Sequence, residues 1–330
     1  MSEDSNKPLS HIAVLGAGAW GTALALAAMA AGRKTTLWVR EDDVLADIRS
    51  GRGNRFLPGV ALPQGLAVTG DLAEAAQADA LLLVVPAQVL HAFADSLKPH
   101  LRSDTPLVIC AKGIEKGSGK LVTEVAAEAL PGAELAILSG PSFARDVARG
   151  LPTAVTIAAK GDLAGKLQTA LSGSVFRPYA SDDLTGVALG GAAKNVYAIA
   201  CGVVEGMGLG ENARAALLAR SFAELSRLGE ALGAKRETLM GLSGLGDLVL
   251  TATSKSSRNF SFGVALGAGA APGAALAEGV DTAPALVARA RAVGVEMPIA
   301  EAMADLLSGA LPIGEAMLRL MSRPLKTENK

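Results

Sequence analysis

The sequence predicts an α/β fold: a mostly parallel sheet with helices on both faces, followed by an all-α C-terminal domain. Three observations predict it. Short, wholly apolar runs alternate with helix-spaced segments as far as Asp182, the pattern of strands buried on both faces and joined by crossover helices. Beyond Asp182 strand patterns stop, and long Ala/Leu/Gly segments with helical spacing take over. A length of 330 residues suits two domains, which the pattern divides at 1–189 and 190–330.

Eight strands are expected in order: His11–Leu15, Thr35–Val39, Leu66–Thr69, Ala80–Val85, Leu107–Cys110, Leu135–Leu138, Thr153–Ala159 and Val175–Ala180. Helices are expected between them at Gly21–Ala31, Asp42–Ser50, Asp71–Ala76, Gln88–Leu97, Lys120–Leu130 and Asp162–Leu171. The second half contributes Asp183–Val204, Asn212–Leu232, Pro284–Ala292 and Ile299–Leu307. The Ala- and Gly-rich tract Gly263–Ala277 reads as loop plus loose helix, either a flexible surface segment or a lid over a cleft between the domains.

Composition removes several classes of function. With 31 Lys+Arg against 32 Asp+Glu there is no global basic field to hold a nucleic acid or an anionic membrane, so any phosphate must be bound locally. Only 3% of residues are aromatic, too few for a function built on base stacking. Cys110 and Cys201 lie far apart without a CxxC, and the three histidines are scattered; neither a disulfide framework nor a metal site is expected. A reducing, cytoplasmic compartment fits this usage. Met1–Ser10 lacks the basic and apolar regions of a secretory signal and is expected to fray, and no stretch approaches the roughly 18 apolar residues of a membrane span.

The first chemical motif is Gly16-Ala17-Gly18-Ala19-Trp20-Gly21, directly after the first strand and opening the first helix. Gly16 serves the tight turn, Gly18 the approach of a pyrophosphate and Gly21 close helix packing, with the helix N-terminus facing the phosphates of a dinucleotide. A glycine-rich turn without a ligand would read alike; its place in a βαβ unit favours the dinucleotide. An NAD-selective site would usually carry an acid at the end of the second strand, where this chain has Leu37-Trp38-Val39-Arg40 and Glu41 only afterwards. Arg40 tilts the cofactor from NAD toward NADP, although a solvated strand-end charge is the simpler reading and Glu41 and Asp42 compete for its guanidinium.

Reducing a carbonyl requires a proton donor, and the histidines do not supply it: His11 begins a strand, while His91 and His100 lie on or just after a covering helix. Lys194 is the stronger candidate. Its helical neighbours Gly190, Gly191, Tyr197 and Ala198 are small or uncharged, so this lysine at the domain junction is a candidate for desolvation and a lowered pKa, where most helical lysines are solvated. Lys112 follows the fifth strand at its carboxyl end, where open sheets bind ligands and where a plain surface lysine would also sit. In Ser139-Gly140-Pro141-Ser142-Phe143-Ala144, Ser142 is placed to cap a helix, with or without an anion at its amides. Gly241–Leu248 is a glycine-dense turn delivering Asp247, followed by Thr251 and by Ser256-Ser257-Arg258-Asn259, a donor set suited to phosphate and equally legible as a polar loop.

Taken together these segments resemble the bacterial NAD(P)-dependent sn-glycerol-3-phosphate dehydrogenases. GAGAWGTALA, AKGIE, SGPSFA, LGGAAKNVYAIACG, GLGENARAAL, GLSGLGDLVLTATSKSSRN and AEGVDT fall in that family's order across nearly the whole chain, and the KN, GLGDL and SRN elements are specific to it. The resemblance implies a Rossmann-type domain, a helical substrate domain, and reversible reduction of dihydroxyacetone phosphate to sn-glycerol 3-phosphate for phospholipid synthesis. It implies Lys194 as proton acceptor in alcohol oxidation and donor in ketone reduction. Lys112 would contact substrate and cofactor, while Asp247 and Thr251 orient the ammonium groups and substrate hydroxyls. Gly140, Ser142, Ser257, Arg258 and Asn259 would bind substrate; Ala19, Trp20, Arg40, Ala144, Arg258, Leu276 and Glu278 would line the cofactor. Pairing into a homodimer is implied as well. The chain departs from the family at Ala19, where a serine is often found, and in having AEG where many relatives have VEG. Two rival readings remain: a related two-domain NADP-dependent reductase of a hydroxy or keto acid, and a non-catalytic dinucleotide sensor, since fold alone does not fix function.

Overall fold

The computed structural model describes residues 8–271 and 277–322. All eight expected strands occur: β1 (His11–Leu15), β2 (Lys34–Trp38), β3 (Ala67–Thr69), β4 (Ala80–Leu83), β5 (Leu107–Ile109), β6 (Leu135–Ser139), β7 (Thr153–Ala159) and β8 (Phe176–Ser181). They form one sheet in the order β3-β2-β1-β4-β5-β6-β7-β8. Every pairing is parallel except β6 with β7. The order reverses between β1 and β4, so the carboxyl ends of these strands open a crevice of the kind in which such sheets bind ligands.

Because successive strand side chains point to opposite faces, each strand feeds two cores. Ile12, Val14, Leu37, Leu82 and Val108 pack on one face under α1 (Ala19–Ala30) and α2 (Asp42–Arg49). Ala13, Leu15, Leu81, Leu83 and Ile109 pack on the other under α3 (Leu72–Ala75), α4 (Leu90–Leu97) and α5 (Val122–Ala129). The short α6 (Ala144–Ala148) and α7 (Leu163–Leu171) return to the first face.

The helical half comprises α8 (Leu184–Gly206), α9 (Gly210–Ala231), α10 (Arg236–Met240), a π-helical turn at Leu242–Gly246, α11 (Asp247–Thr253), α12 (Arg258–Gly267), α13 (Glu278–Ala292), α14 (Pro298–Leu307) and α15 (Ile313–Met321). Its buried residues are continuous with the α3–α5 face of the sheet, so the two halves share one apolar core. Residue 190 lies inside α8, which begins at Leu184.

Three details depart from the sequence reading. α8 is, by length and composition, apolar enough to cross a membrane, against the expectation that no stretch approaches that length; 94% of its apolar window is inside the protein, where α9, α11, α12 and α13 wall it in. Gly263–Gly267 is not loop but the last turns of α12: a Cβ on Gly263 would lie 2.1 Å from the Ile199 carbonyl oxygen, and one on Gly267 2.3 Å from that of Val203. These glycines let two helix backbones touch, which composition alone renders as flexibility; residues 272–276 of the tract lie outside the described residues. α13 begins at Glu278 rather than Pro284, because Asn259 accepts the Gly279 amide at 2.9 Å and fixes the first turn ahead of the proline.

Glu224 of α9 gives the fold a pH dependence of its own. It is 2% exposed and accepts the amides of Ile299 (2.7 Å) and Ala300 (3.3 Å) at the start of α14, with the Tyr197 hydroxyl donating at 3.4 Å. Burial pushes its pKa up to about 7, against the pull of those donors and of Arg227. A carboxyl that binds its proton more tightly folded than unfolded stabilises the fold below its unfolded pKa, and that contribution is lost as pH rises toward about 7. Unfolding free energies from denaturant titrations at pH 5 to 7.5 should therefore fall for the wild type relative to Glu224→Gln, by up to about 1.4 kcal/mol per pH unit. A difference between the two proteins that does not vary with pH would refute the raised pKa.

Candidate active site

Four side chains from distant parts of the chain meet beside the carboxyl ends of β5 and β6. Lys112, three residues past β5, donates from Nζ to Asp247 Oδ2 at 2.6 Å and to the Gly140 carbonyl at 3.1 Å. Lys194, halfway along α8, donates to Asp247 Oδ1 at 2.8 Å and to Thr251 Oγ1 at 2.9 Å. Thr251, one turn after Asp247 on α11, donates to the same Oδ1 at 3.2 Å. Asp247 is 1% exposed and Lys194 8%, so one carboxylate serves two ammonium groups in a nearly dry setting.

Local structure explains the convergence. The π turn at Leu242–Gly246 brings the chain around so that Asp247 opens α11 against α8. Gly191, one turn before Lys194, faces Lys112: a Cβ there would stand 2.6 Å from Ser139 Oγ and 3.4 Å from Lys112 Cγ. Of the uncharged residues noticed beside Lys194 in the sequence, Gly191 makes room for the Lys112 stem, Gly190 packs against Ser243 and Gly244, and the two lysines meet through Asp247.

Burial dominates the electrostatics. It lowers the Lys194 pKa to about 8, with Asp247 working against the shift and Lys112 adding to it. For Asp247, burial alone would raise the carboxyl, but Lys112 and Lys194 outweigh it and hold the group below its ordinary value. Lys194 can therefore hold or release a proton near neutral pH while Asp247 stays charged.

Around this centre, Ser257 caps α12, its Oγ accepting the Phe260 amide at 3.2 Å, and Arg258 stands half free with Nη2 3.8 Å from Glu278 Oε1. Asn259 donates to Asn195 Oδ1 at 2.9 Å and accepts from Gly279 N, tying the residue after Lys194 to the start of α13. Ser142 does not cap a helix as expected: its hydroxyl donates to the Gly140 carbonyl at 2.9 Å, and α6 begins two residues later without a side-chain cap. Leu276 lies outside the described residues.

The glycine-rich turn fits a dinucleotide. Gly16 has φ +122°, and a Cβ there would lie 2.5 Å from the Val84 carbonyl at the end of β4; one on Gly21 would lie 1.8 Å from the Gly16 carbonyl. Gly18 is different, since nothing lies within 4 Å of a Cβ built on it, and no protein contact explains the absence of a side chain. α1 has no side-chain cap and no acid in its first turn, which leaves its N-terminal amides to an anion. Ala19 and Trp20 open α1, with the buried Trp20 Nε1 lacking a protein partner, and Ala144 is on α6, which packs against α1. Arg40, 73% exposed on its side chain, is held by Glu41 Oε1 at 2.6 Å from Nη2, the competition its sequence neighbours suggested. The sequence reading missed Asn54, buried between the glycine turn and α1; an isolated asparagine in a loop carries no local signal.

Comparison with known proteins places the chain in a family. Residues 11–164 match the family described as NAD-dependent glycerol-3-phosphate dehydrogenase N-terminus, and residues 183–318 match its C-terminus. The chain is 57% identical over 318 residues to glycerol-3-phosphate dehydrogenase [NAD(P)+] of Afipia carboxidovorans, covering 96% of this chain and 98% of that one. A Bradyrhizobium relative of the same name is 58% identical over 319 residues, with the same two coverages. The crystal structure of glycerol-3-phosphate dehydrogenase from Coxiella burnetii superposes with a TM-score of 0.90 at 39% identity, over 95% of this chain and 99% of that one. Neither the keto-acid reductase nor the sensor reading is favoured by these likenesses. With both halves matched and the similarity running nearly end to end, the chain belongs to the NAD(P)-dependent glycerol-3-phosphate dehydrogenase family of oxidoreductases.

Proposed function

We infer that this chain reversibly reduces dihydroxyacetone phosphate to sn-glycerol 3-phosphate with NAD(P)H, supplying glycerophospholipid synthesis. The observation that carries the reading is the buried Lys112–Asp247–Lys194–Thr251 cluster beside the crevice of the sheet. A nicotinamide cofactor, when bound at the glycine-rich turn, would supply the hydride for the ketone carbon or accept it from the alcohol. Lys194 gives the proton to the developing alkoxide in reduction and receives it in oxidation, a role suited to a pKa of about 8. Lys112 places a second N–H and positive charge beside the same oxygen. Asp247 and Thr251 aim the Lys194 ammonium, and Asp247 keeps two cations tolerable in one dry site.

The substrate phosphate falls to Arg258, Ser257 and Asn259, with Gly140 and Ser142 also assigned to substrate. Asn259 uses one amide N–H on Asn195 and keeps the other free, and the Ser257 hydroxyl, an acceptor at the helix cap, still has its proton to donate. Binding energy from this non-reacting group then positions the carbonyl. Gly16, Gly18, Ala19, Trp20, Gly21, Arg40, Lys112, Ala144, Arg258, Leu276 and Glu278 are assigned to the cofactor, with NADP favoured by Arg40. In this reading residues 1–189 bind cofactor and 190–330 substrate, the boundary falling within α8. The free, buried thiols of Cys110 and Cys201 suit a reducing, cytoplasmic compartment, and pairing into a homodimer rests on the family resemblance alone.

The test is the initial rate of reduced-cofactor consumption with dihydroxyacetone phosphate, run with NADH and NADPH, and with unphosphorylated dihydroxyacetone as control. Fast turnover confined to the phosphorylated ketone is expected, with loss of turnover as well as affinity when the phosphate is missing. No turnover with either cofactor, in folded protein, would overturn the assignment.

A further inference from the structure

The geometry points to Asn54 as a positioning residue for the cofactor diphosphate, acting through the glycine turn; the inference rests on the dinucleotide reading of that turn. Asn54 lies outside the motif, between α2 and β3, and is 4% exposed. Its Nδ2 donates to the Ala17 carbonyl and to Thr22 Oγ1, both at 2.8 Å, and its Oδ1 accepts the Phe56 amide at 2.9 Å. Thr22 in turn donates to the Ala17 carbonyl at 3.3 Å. The amide's donors and acceptor are thus all engaged, and Ala17's carbonyl is held inward by two donors.

The planar trans peptide between Ala17 and Gly18 carries this constraint one atom further along the chain. Carbonyl and N–H of one peptide unit point in opposite directions, so holding the Ala17 oxygen toward Asn54 turns the Gly18 N–H away from it. Ala17 is buried and Gly18 exposed, so the outward side is the open mouth of the turn, where nothing crowds Gly18. Asn54 therefore sets an amide donor against the site an anion would occupy at the head of α1, before any ligand arrives. Ala19, which has no side-chain donor of its own, increases the share that falls to this backbone group.

Asn54→Asp tests this, because the carboxylate keeps the size of the side chain but cannot donate to the Ala17 oxygen. Calorimetric titration of the full chain with ADP-ribose, which carries the diphosphate and no nicotinamide, reads binding without activity. The variant should bind ADP-ribose about tenfold more weakly or worse, the worth of one amide–phosphate hydrogen bond. NADH and NADPH, followed by nicotinamide fluorescence, should lose equally, since the diphosphate is common to both. The KM for cofactor should rise far more than kcat at saturating cofactor falls. A lowered Tm with wild-type affinity for ADP-ribose would reduce Asn54 to a packing residue and overturn the inference. Wild-type protein that does not bind ADP-ribose would overturn the dinucleotide reading itself. If Asn54→Asp does not fold, Thr22→Val, which removes the second donor to the same oxygen, should weaken ADP-ribose binding severalfold; unchanged affinity there overturns the inference as well.

Discussion

Lys194→Met is expected to lower kcat by about 10²–10⁴-fold, the usual worth of a positioned general acid or base, while cofactor affinity stays near that of the wild type. Methionine keeps an unbranched stem among the small residues of α8 and removes only the titrating head. The wild-type pH profile carries the same assignment with opposite signs in the two directions. Ketone reduction needs the ammonium, so its rate should fall as pH rises through about 8; alcohol oxidation needs the neutral amine, so its rate should rise through the same value. Lys194→Arg separates charge from proton transfer, because a guanidinium keeps the charge and does not release a proton in this range. Wild-type turnover in Lys194→Met, or a profile flat around pH 8, would sink the mechanism.

Lys194 was legible in the sequence because helical neighbours can be counted along one segment, and Gly190, Gly191, Tyr197 and Ala198 carry no charge. Its partners Asp247 and Thr251 came only through the family resemblance, not from any local pattern. Asp247 lies 53 positions away, and only the passage of α8 beside both the π turn and β6 brings the two together. The strands were legible for a related reason: burial on both faces leaves unbroken apolar runs such as Leu81–Leu83, whose signal is local. Where contacts are made between segments, local reading failed in a consistent direction. Gly263 and Gly267 read as slack and are tight helix contacts; Pro284 read as a helix start and lies within α13, whose first turn is fixed by Asn259 from elsewhere. Ser142 read as a cap and instead donates backward to Gly140.

Asp247→Asn should damage stability and catalysis together, with a pH dependence that distinguishes it from an ordinary core lesion. One carboxylate now sits 2.6 Å from the Lys112 nitrogen and 2.8 Å from that of Lys194. Neutralising it leaves two ammonium groups in a nearly dry site, and removing one member of a buried ion cluster costs about 3–5 kcal/mol. Lys194 has an escape that most buried cations lack. Its pKa is already down to about 8 with Asp247 pulling upward, so without that pull it falls further and the lysine sheds its proton. A cation whose folded pKa lies below its unfolded value binds fewer protons folded than unfolded, and stability then rises with pH. The Tm deficit of Asp247→Asn relative to wild type should therefore be largest under acidic conditions and shrink toward pH 9. The same proton loss removes the donor for ketone reduction, so the falling limb of that activity should move from about 8 to lower pH. A deficit independent of pH, with the limb still at about 8, would mean that Asp247 holds the site by shape alone and that burial, without its charge, sets the proton affinity of Lys194.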